Sequence, residues 1–492
     1  MFLGMSSTTL IILGEVLYLL IILGVIIKII IDTDNSIKSL GYILFVVFIP
    51  VIGIILYFLI GVNYRKQKLY KKKLVENTRL FNALRREIYD YTYMQIGDHH
   101  KIIGNFERTV KMLLNDSLAP LSQAKKAKLL VNGEEKFSEV FKALEAAKHH
   151  IHIQYYIYAD DEIGNRIKET LSRKAKQGVE VRFIFDDFGS HRLHHKMLAE
   201  LRAGGVQVAA FYQVHLYALA NRMNYRNHRK IIVIDGHIGF IGGINVGDKY
   251  INNGKHKLFW RDTHLKFEGA AVWNLQYTFM SDWNFCAHEN ITINKYYFNF
   301  NNEFIDDKKS QTLIQIASSG PDSTRASIML SFMGIIMACK ERLYITTPYF
   351  IPNDTIIDAI KHVALSGIDV RLLVPGKSDS LIVNAASCSN YGDLLEAGVR
   401  VYRYQKGFVH AKTIVADNTL SVIGSANMDM RSFDFNFEIN ALVFDEAINS
   451  QLCEVFMEDI GHSIQLDSKK WNNRSRWRKF CEAMARLLSP LL

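Results

Sequence analysis

A histidine, a lysine two positions later and an aspartate five positions after that occur together twice in this 492-residue chain. The first copy, N-H-R-K-I-I-V-I-D from Asn227, runs into I-G-G-I-N; the second, V-H-A-K-T-I-V-A-D from Val409, runs into I-G-S-A-N. His228, Lys230, Asp235 and Asn245 thereby stand opposite His410, Lys412, Asp417 and Asn427. Composition alone gives on the order of 0.1 chance matches to such a pattern, so one copy carries little weight and two with the same downstream Gly and Asn carry much. Alternation along a strand puts each His and Lys on one face. A neutral imidazole beside a fixed ammonium suits attack on a phosphate diester. The His can act as nucleophile or proton carrier, and the Lys can offset charge on the phosphoryl oxygens.

The elements that must hold these residues repeat too. The residues after each Lys, Ile231–Ile234 and Thr413–Ala416, are largely apolar and β-branched, as in a buried strand. Ahead of the first motif the spacing predicts strands over 151–158 and 180–185 with a helix over 163–177 between them, then a helix over 196–203 and a strand over 206–212. Ahead of the second it predicts a strand over 343–349, a helix over 355–366 and a strand over 369–374. H-H-K-M-L-A-E-L-R-A-G-G-V-Q-V from His194 aligns with Y-G-D-L-L-E-A-G-V-R-V-Y from Tyr391, helix into strand in both. Two α/β units of similar build follow, with mixed, largely parallel sheets covered by helices.

The duplicated motif resembles that of the phospholipase D superfamily. Q-Y-Y-I-Y-A-D-D-E-I-G from Gln154, D-D-F-G-S from Asp186, W-R-D-T-H from Trp260 and T-P-Y-F-I-P from Thr347 narrow the resemblance to its bacterial cardiolipin synthases. The resemblance implies that the two repeats pack face to face as a pseudo-dimer with the motifs at their interface. It also implies a phosphatidyl transfer between two phosphatidylglycerol molecules through a phosphohistidine, giving cardiolipin and glycerol without metal or other cofactor. His228 would be the nucleophile and His410 the acid and base, although the symmetry of the motifs leaves the reverse assignment open. Lys230 and Lys412, with Asn245, Asn427 and Ser425, would hold the phosphate oxygens. Asp262 and Glu438 would fix the histidine tautomers, while Asp235 and Asp417 would orient strand and turn. A hydrolytic phospholipase D would use the same residues with water as acceptor, and a nuclease of the superfamily would fit the positive charge.

The formal net charge is +10, which suits an anionic membrane or a nucleic acid equally well. Two apolar stretches, residues 10–31 and 40–62, decide for the membrane. Each is long enough to cross a hydrocarbon core of about 30 Å as a helix, so the chain is expected to open with a two-helix transmembrane hairpin over 1–63. A nuclease would not need one. The basic run Arg65, Lys66, Lys68, Lys71, Lys72 and Lys73 then puts the termini and the catalytic part in the cytoplasm. Residues 64–128 read as a basic helical connector, 129–318 and 319–470 as the two phospholipase D-like domains, and 471–492 as an amphipathic helix. Trp477, Phe480, Cys481, Met484, Leu487, Leu488 and Leu491 share one face of that helix, which suits either the bilayer surface or the catalytic body. Five scattered cysteines without a C-x-x-C pair indicate neither a disulfide framework nor a zinc site, and His191, His194 and His195 read as surface or headgroup contacts rather than metal ligands. Homo-oligomerisation stays open.

Overall fold

The computed structural model describes residues 7–33, 36–58, 71–191, 193–211, 225–298 and 312–489. The N-terminal residues form one unit; both motifs lie in a second, larger one. In the first unit, Ser7–Asp32 is a single helix. Its Ile11–Asp32 portion is, among the described residues, the one helix long and apolar enough to cross a bilayer. The second apolar stretch is not one helix. It forms Ser36–Phe48 and Pro50–Leu56, broken at Ile49, whose φ of −136° and ψ of 66° leave the helical region. Proline disfavours the helical conformation in the residue before it and lacks an N–H of its own, which accounts for the break. The two pieces fold tightly on each other: a Cβ on Gly53 would lie 2.4 Å from the Phe45 carbonyl carbon. The expected second crossing is therefore not shown, and Arg65, Lys66 and Lys68 of the basic run lie outside the described residues.

The described part of the larger unit holds two large sheets and two short two-stranded ones. The first runs, edge to edge, through Lys126–Val131, Thr263–Glu268, Ile238–Gly242, Ile231–Ile234, His150–Tyr155, Glu180–Asp186 and Gln207–Phe211. The second runs through Leu121–Gln123, Leu313–Ser319, Asn436–Phe444, Leu420–Gly424, Thr413–Ala416, Arg342–Thr346, Asp369–Pro375, Arg400–Tyr404 and Ser463–Gln465. Each motif strand is central and wholly buried, and each sheet has its own apolar core under flanking helices.

Two expectations need correction. The sheets are mixed, but antiparallel pairs prevail: in the first sheet only the pairs on either side of Glu180–Asp186 are parallel. The reason is the turn after each motif strand. Asp235 and Gly236 both take positive φ, as does Asp417, and the chain reverses into an antiparallel neighbour instead of crossing over a helix. The connector over 64–128 is also not a separate element. Ile96, Ile103, Phe106, Val110 and Leu113 join the core of the second sheet. Leu121–Gln123 forms that sheet's edge, and Lys126–Val131 pairs in the first sheet across the expected boundary at residue 129.

Candidate active site

Each motif His sits just past a short strand that pairs with the opposite half of the chain. Arg226–Asn227 runs parallel to the start of Asn436–Phe444, and the His228 amide donates to the Phe437 carbonyl oxygen at 2.9 Å. Gly407–Val409 likewise runs parallel to Phe259–Arg261, and the His410 amide donates to the Arg261 carbonyl oxygen at 2.7 Å. Both junctions place a carboxylate opposite a histidine. His228 Nδ1 lies 2.9 Å from Glu438 Oε1, and His410 Nδ1 lies 2.7 Å from Asp262 Oδ2. The pairing is crossed: the carboxylate of each half holds the histidine of the other. Both carboxylates are fully buried and both imidazoles nearly so.

The electrostatics follow from that burial. Desolvation pushes the His228 imidazole below its ordinary value despite Glu438, and it lowers His410 to about 3 with help from Lys412. Burial alone would raise the two carboxyls. Lys412 and His410 nevertheless hold Asp262 below the usual carboxylate range, and His228 and Lys230 do the same for Glu438. Burial thus favours neutral imidazoles, each with Nδ1 held against a carboxylate. Lys230 and Lys412 donate to the carbonyl oxygens of their own motif histidines. Desolvation lowers them to about 7 and about 8 respectively. An arriving phosphate would raise both again, because the opposite charge favours the ammonium form.

The remaining sequence-derived residues sort into three positions. Asp235 and Asp417 end the motif strands away from the histidines. Asp235 accepts the amides of Lys148, His149 and His150 at 2.7–2.9 Å, and Asp417 accepts those of Lys340, Glu341 and Arg342. Asn245 and Asn427 are buried after the Gly turns; Asn245 Oδ1 accepts the Ile157 amide, and the Asn427 amide N–H donates to Ser432 Oγ. Ser425 is wholly buried. It donates to Glu438 Oε2 and accepts the Ile439 amide. At the matching Gly243 a Cβ would lie 2.2 Å from Asp262 Oδ1, so the first copy has no room for a side chain. His191, His194 and His195 are exposed. Among the described residues no group of three or more His, Cys, Asp or Glu side chains could hold a metal ion.

Several site residues escaped the sequence reading. Arg229, the middle residue of H-R-K, pairs with Asp282 at 2.6 Å and donates to the Glu438 carbonyl oxygen. Arg261 pairs with Asp459 at 2.9 Å and donates to the Asp262 carbonyl oxygen. Each orienting carboxylate thus has its backbone tied to a buried Arg–Asp pair. Wholly buried Lys136 donates to the carbonyl oxygens of Ile244 and Asn245. Tyr156 packs edge-on against His228 at 4.9 Å between ring centres, and Trp260 packs on His410 at 5.0 Å. Tyr156 and Trp260 lie in stretches that carried the resemblance, which was their only signal. Arg229 and Lys136 carried none, because a lone basic residue is read as solvated.

Comparison with known proteins agrees with this geometry. Residues 140–266 and 332–460 match the family described as cardiolipin synthase, PLD-like domain. A cardiolipin synthase of Alkalihalophilus pseudofirmus is 40% identical over 463 residues, spanning 94% of this chain and 90% of that protein. One of Geobacillus kaustophilus is 41% identical over 444 residues, spanning 90% of this chain and 86% of that protein. Among solved structures, a phosphatidylserine synthase from Haemophilus influenzae superposes with a TM-score of 0.56 at 15% identity, covering 77% of this chain and 96% of that one, a likeness of fold. The fold and crossed site are those of a phospholipase D-type phosphatidyltransferase. Within that class, the chain belongs to the cardiolipin synthase family.

Proposed function

We propose that the chain condenses two phosphatidylglycerol molecules into cardiolipin and glycerol by double displacement at phosphorus. His228 Nε2 attacks the first phosphatidylglycerol phosphorus. The bond to the terminal glycerol oxygen breaks, and that oxygen takes a proton from His410. The headgroup hydroxyl of a second phosphatidylglycerol then returns a proton to His410 as its oxygen attacks the phosphohistidine, and the P–N bond breaks to free His228. One phosphodiester is consumed and one formed, so no nucleotide is needed. Lys230 and Lys412 hold the non-bridging oxygens together with Asn245 and Asn427. Asp262 and Glu438 hold Nδ1–H, and Asp235 and Asp417 anchor the motif strands. A neutral His228 suits attack, while His410 takes up a proton from solvent as the negative phosphate binds and raises its affinity for it, so that it enters the first step as the acid.

The observation that carries this reading is the crossed pairing of His228 with Glu438 and of His410 with Asp262, which makes one centre out of two motifs. The membrane reading rests on composition. Ile11–Asp32 spans the bilayer, residues 40–62 return through it with a kink at Pro50, and the basic run holds the catalytic unit on the cytoplasmic side. Purified protein incubated with phosphatidylglycerol and EDTA should yield cardiolipin and glycerol. Phosphatidic acid alone would make it a hydrolase. Protein quenched in denaturant at mildly alkaline pH, where a P–N bond survives, should carry the phosphoryl label on His228, and a label on His410 instead would reverse the two roles.

A further inference from the structure

The C-terminal helix Arg476–Leu487 lies on the helix Leu381–Ser389, and it does so with its mixed face. Glu482 and Ala485 are buried, and Ala485 packs against Ile351 and Ala386. Arg474 and Arg478 both pair with Glu482, at 2.7 and 3.0 Å, so its charge is met inside the contact. The apolar face is therefore turned outward, which reconciles the two placements the sequence left open. Trp477 and Leu487 are each 72% exposed, with Phe480, Met484 and Leu488 between and beside them. Leu381, 88% exposed, and Ile382 extend the patch onto the neighbouring helix. Leu491 lies outside the described residues.

Three observations say what covers this patch. First, residues 467–488 hold seven basic residues against two acidic ones, so the apolar face sits in a positive surround. A stacked Trp477–Phe480 pair beside Lys and Arg is the composition of a helix lying at a lipid interface. A second copy of this chain would bring the same positive charge and be repelled. Secondly, the patch adjoins the site. Asp379, two residues before the supporting helix, accepts the Tyr349 hydroxyl at 2.7 Å; Tyr349 packs near Phe408, and Phe408 packs on His410. Thirdly, Ile351 beneath the C-terminal helix belongs to the strand paired with Met428–Asp429, which directly follows Asn427.

We propose that the paired helices 381–389 and 476–487 are an interfacial docking surface that seats the catalytic unit on an anionic phospholipid bilayer, with the site mouth at the depth of the headgroups. The proposal rests on the lipid substrate proposed above. Its role is to let a phosphate diester reach the histidines while its acyl chains stay in the membrane.

The test uses full-length protein reconstituted in phosphatidylcholine bilayers with and without phosphatidylglycerol. In a background with Cys286, Cys453 and Cys481 changed to serine, an environment-sensitive fluorophore is attached at Phe480→Cys or, as control, at Leu365→Cys. Leu365 is 72% exposed on another helix. The label at 480 should be quenched by spin-labelled lipid, more strongly when phosphatidylglycerol is present, and the label at 365 should not. Separately, W477S/F480S/L487S should lose roughly tenfold in rate on bilayer phosphatidylglycerol and keep its rate on monodisperse short-chain phosphatidylglycerol. A label at 480 that stays in water, shielding at 480 that accompanies cross-linking between copies without lipid, or equal loss on both substrates would each overturn the proposal. If the unmodified protein fails on the short-chain lipid, the proposed reaction falls instead, and the quenching result stands by itself.

Discussion

The two halves of the catalytic unit repeat their reacting groups and differ in what braces them. His228, Lys230 and Asp235 have counterparts in His410, Lys412 and Asp417, on central strands that end in the same left-handed turn. The braces are built otherwise. Glu438 takes hydrogen bonds from His228, Ser425 and Asn436, whereas Asp262, one methylene shorter, is met by His410 and by the Thr263 amide. At one junction the buried arginine is Arg229, from the histidine strand; at the other it is Arg261, from the carboxylate strand. A duplicated unit that kept two independent sites would keep its braces with its own histidines. Here each carboxylate meets the histidine of the opposite half, which is what the proposed single centre requires.

The severest way to break that comparison is to remove one imidazole. His228→Ala and His410→Ala should each reduce cardiolipin formation by at least about 10³-fold, because a nucleophile and its proton carrier act as a unit. Appreciable activity in either variant, measured by lipid chromatography on protein of unchanged circular dichroism, would mean two sites rather than one.

Next come the crossed carboxylates. Asp262→Asn and Glu438→Gln should each cost on the order of 10²-fold or more in kcat, by permitting the wrong tautomer of the histidine in the opposite half. The exchange can be tested directly. On a phosphodiester whose leaving group needs no proton, such as a nitrophenyl ester, Glu438→Gln should still slow phosphohistidine formation and Asp262→Asn should not; equal losses would erase the distinction.

The lysines set a milder pH effect. With Lys230 at about 7 and Lys412 at about 8 in the free site, kcat/KM should fall as pH rises through that range, because the ammonium form is lost. On the acid side the limb should lie lower than that of an ordinary imidazole, since burial lowers His228. Lys230→Arg should carry the alkaline limb upward, and a limb that does not move would assign it elsewhere.

Asp235 and Asp417 separate folding from chemistry. Each gathers three backbone amides at the far end of its motif strand, so Asp235→Ala and Asp417→Ala should each cost roughly 2–4 kcal/mol of stability. Activity per folded molecule should stay close to that of the unmodified protein, as read from a melting curve beside a turnover assay.

What the sequence made legible follows from how local each signal is. The motif strands, their alternation and the 162–176 and 354–365 helices rest on spacing within one element, and they lie within a residue or two of expectation. The orienting roles of Asp262 and Glu438 came from resemblance, but which histidine each one holds depends on contacts some 150 and 210 residues apart. No local pattern encodes that. The sheet direction went wrong because a strand-helix-strand rhythm was extended over a hairpin whose sign is the left-handed Asp235. The second membrane stretch read as one helix because apolar content outweighed a single proline.

The smallest expected effect concerns Ser425, where the halves differ by one side chain. Its hydroxyl bridges Glu438 and the Ile439 amide; the first half has Gly243 and no such bridge. Ser425→Gly would therefore make the second copy like the first. Glu438 keeps His228 and the Asn436 side-chain amide, so the carboxylate stays partnered and the variant loses two buried hydrogen bonds, about 1 kcal/mol each. The expected loss in kcat is accordingly tenfold or less, at nearly unchanged KM. If Ser425 instead held the substrate phosphate, its removal would raise KM and leave the pH dependence of phosphohistidine formation alone. Bracing of Glu438 predicts the opposite: a steady KM and a shifted profile, because a looser carboxylate holds the His228 proton less well.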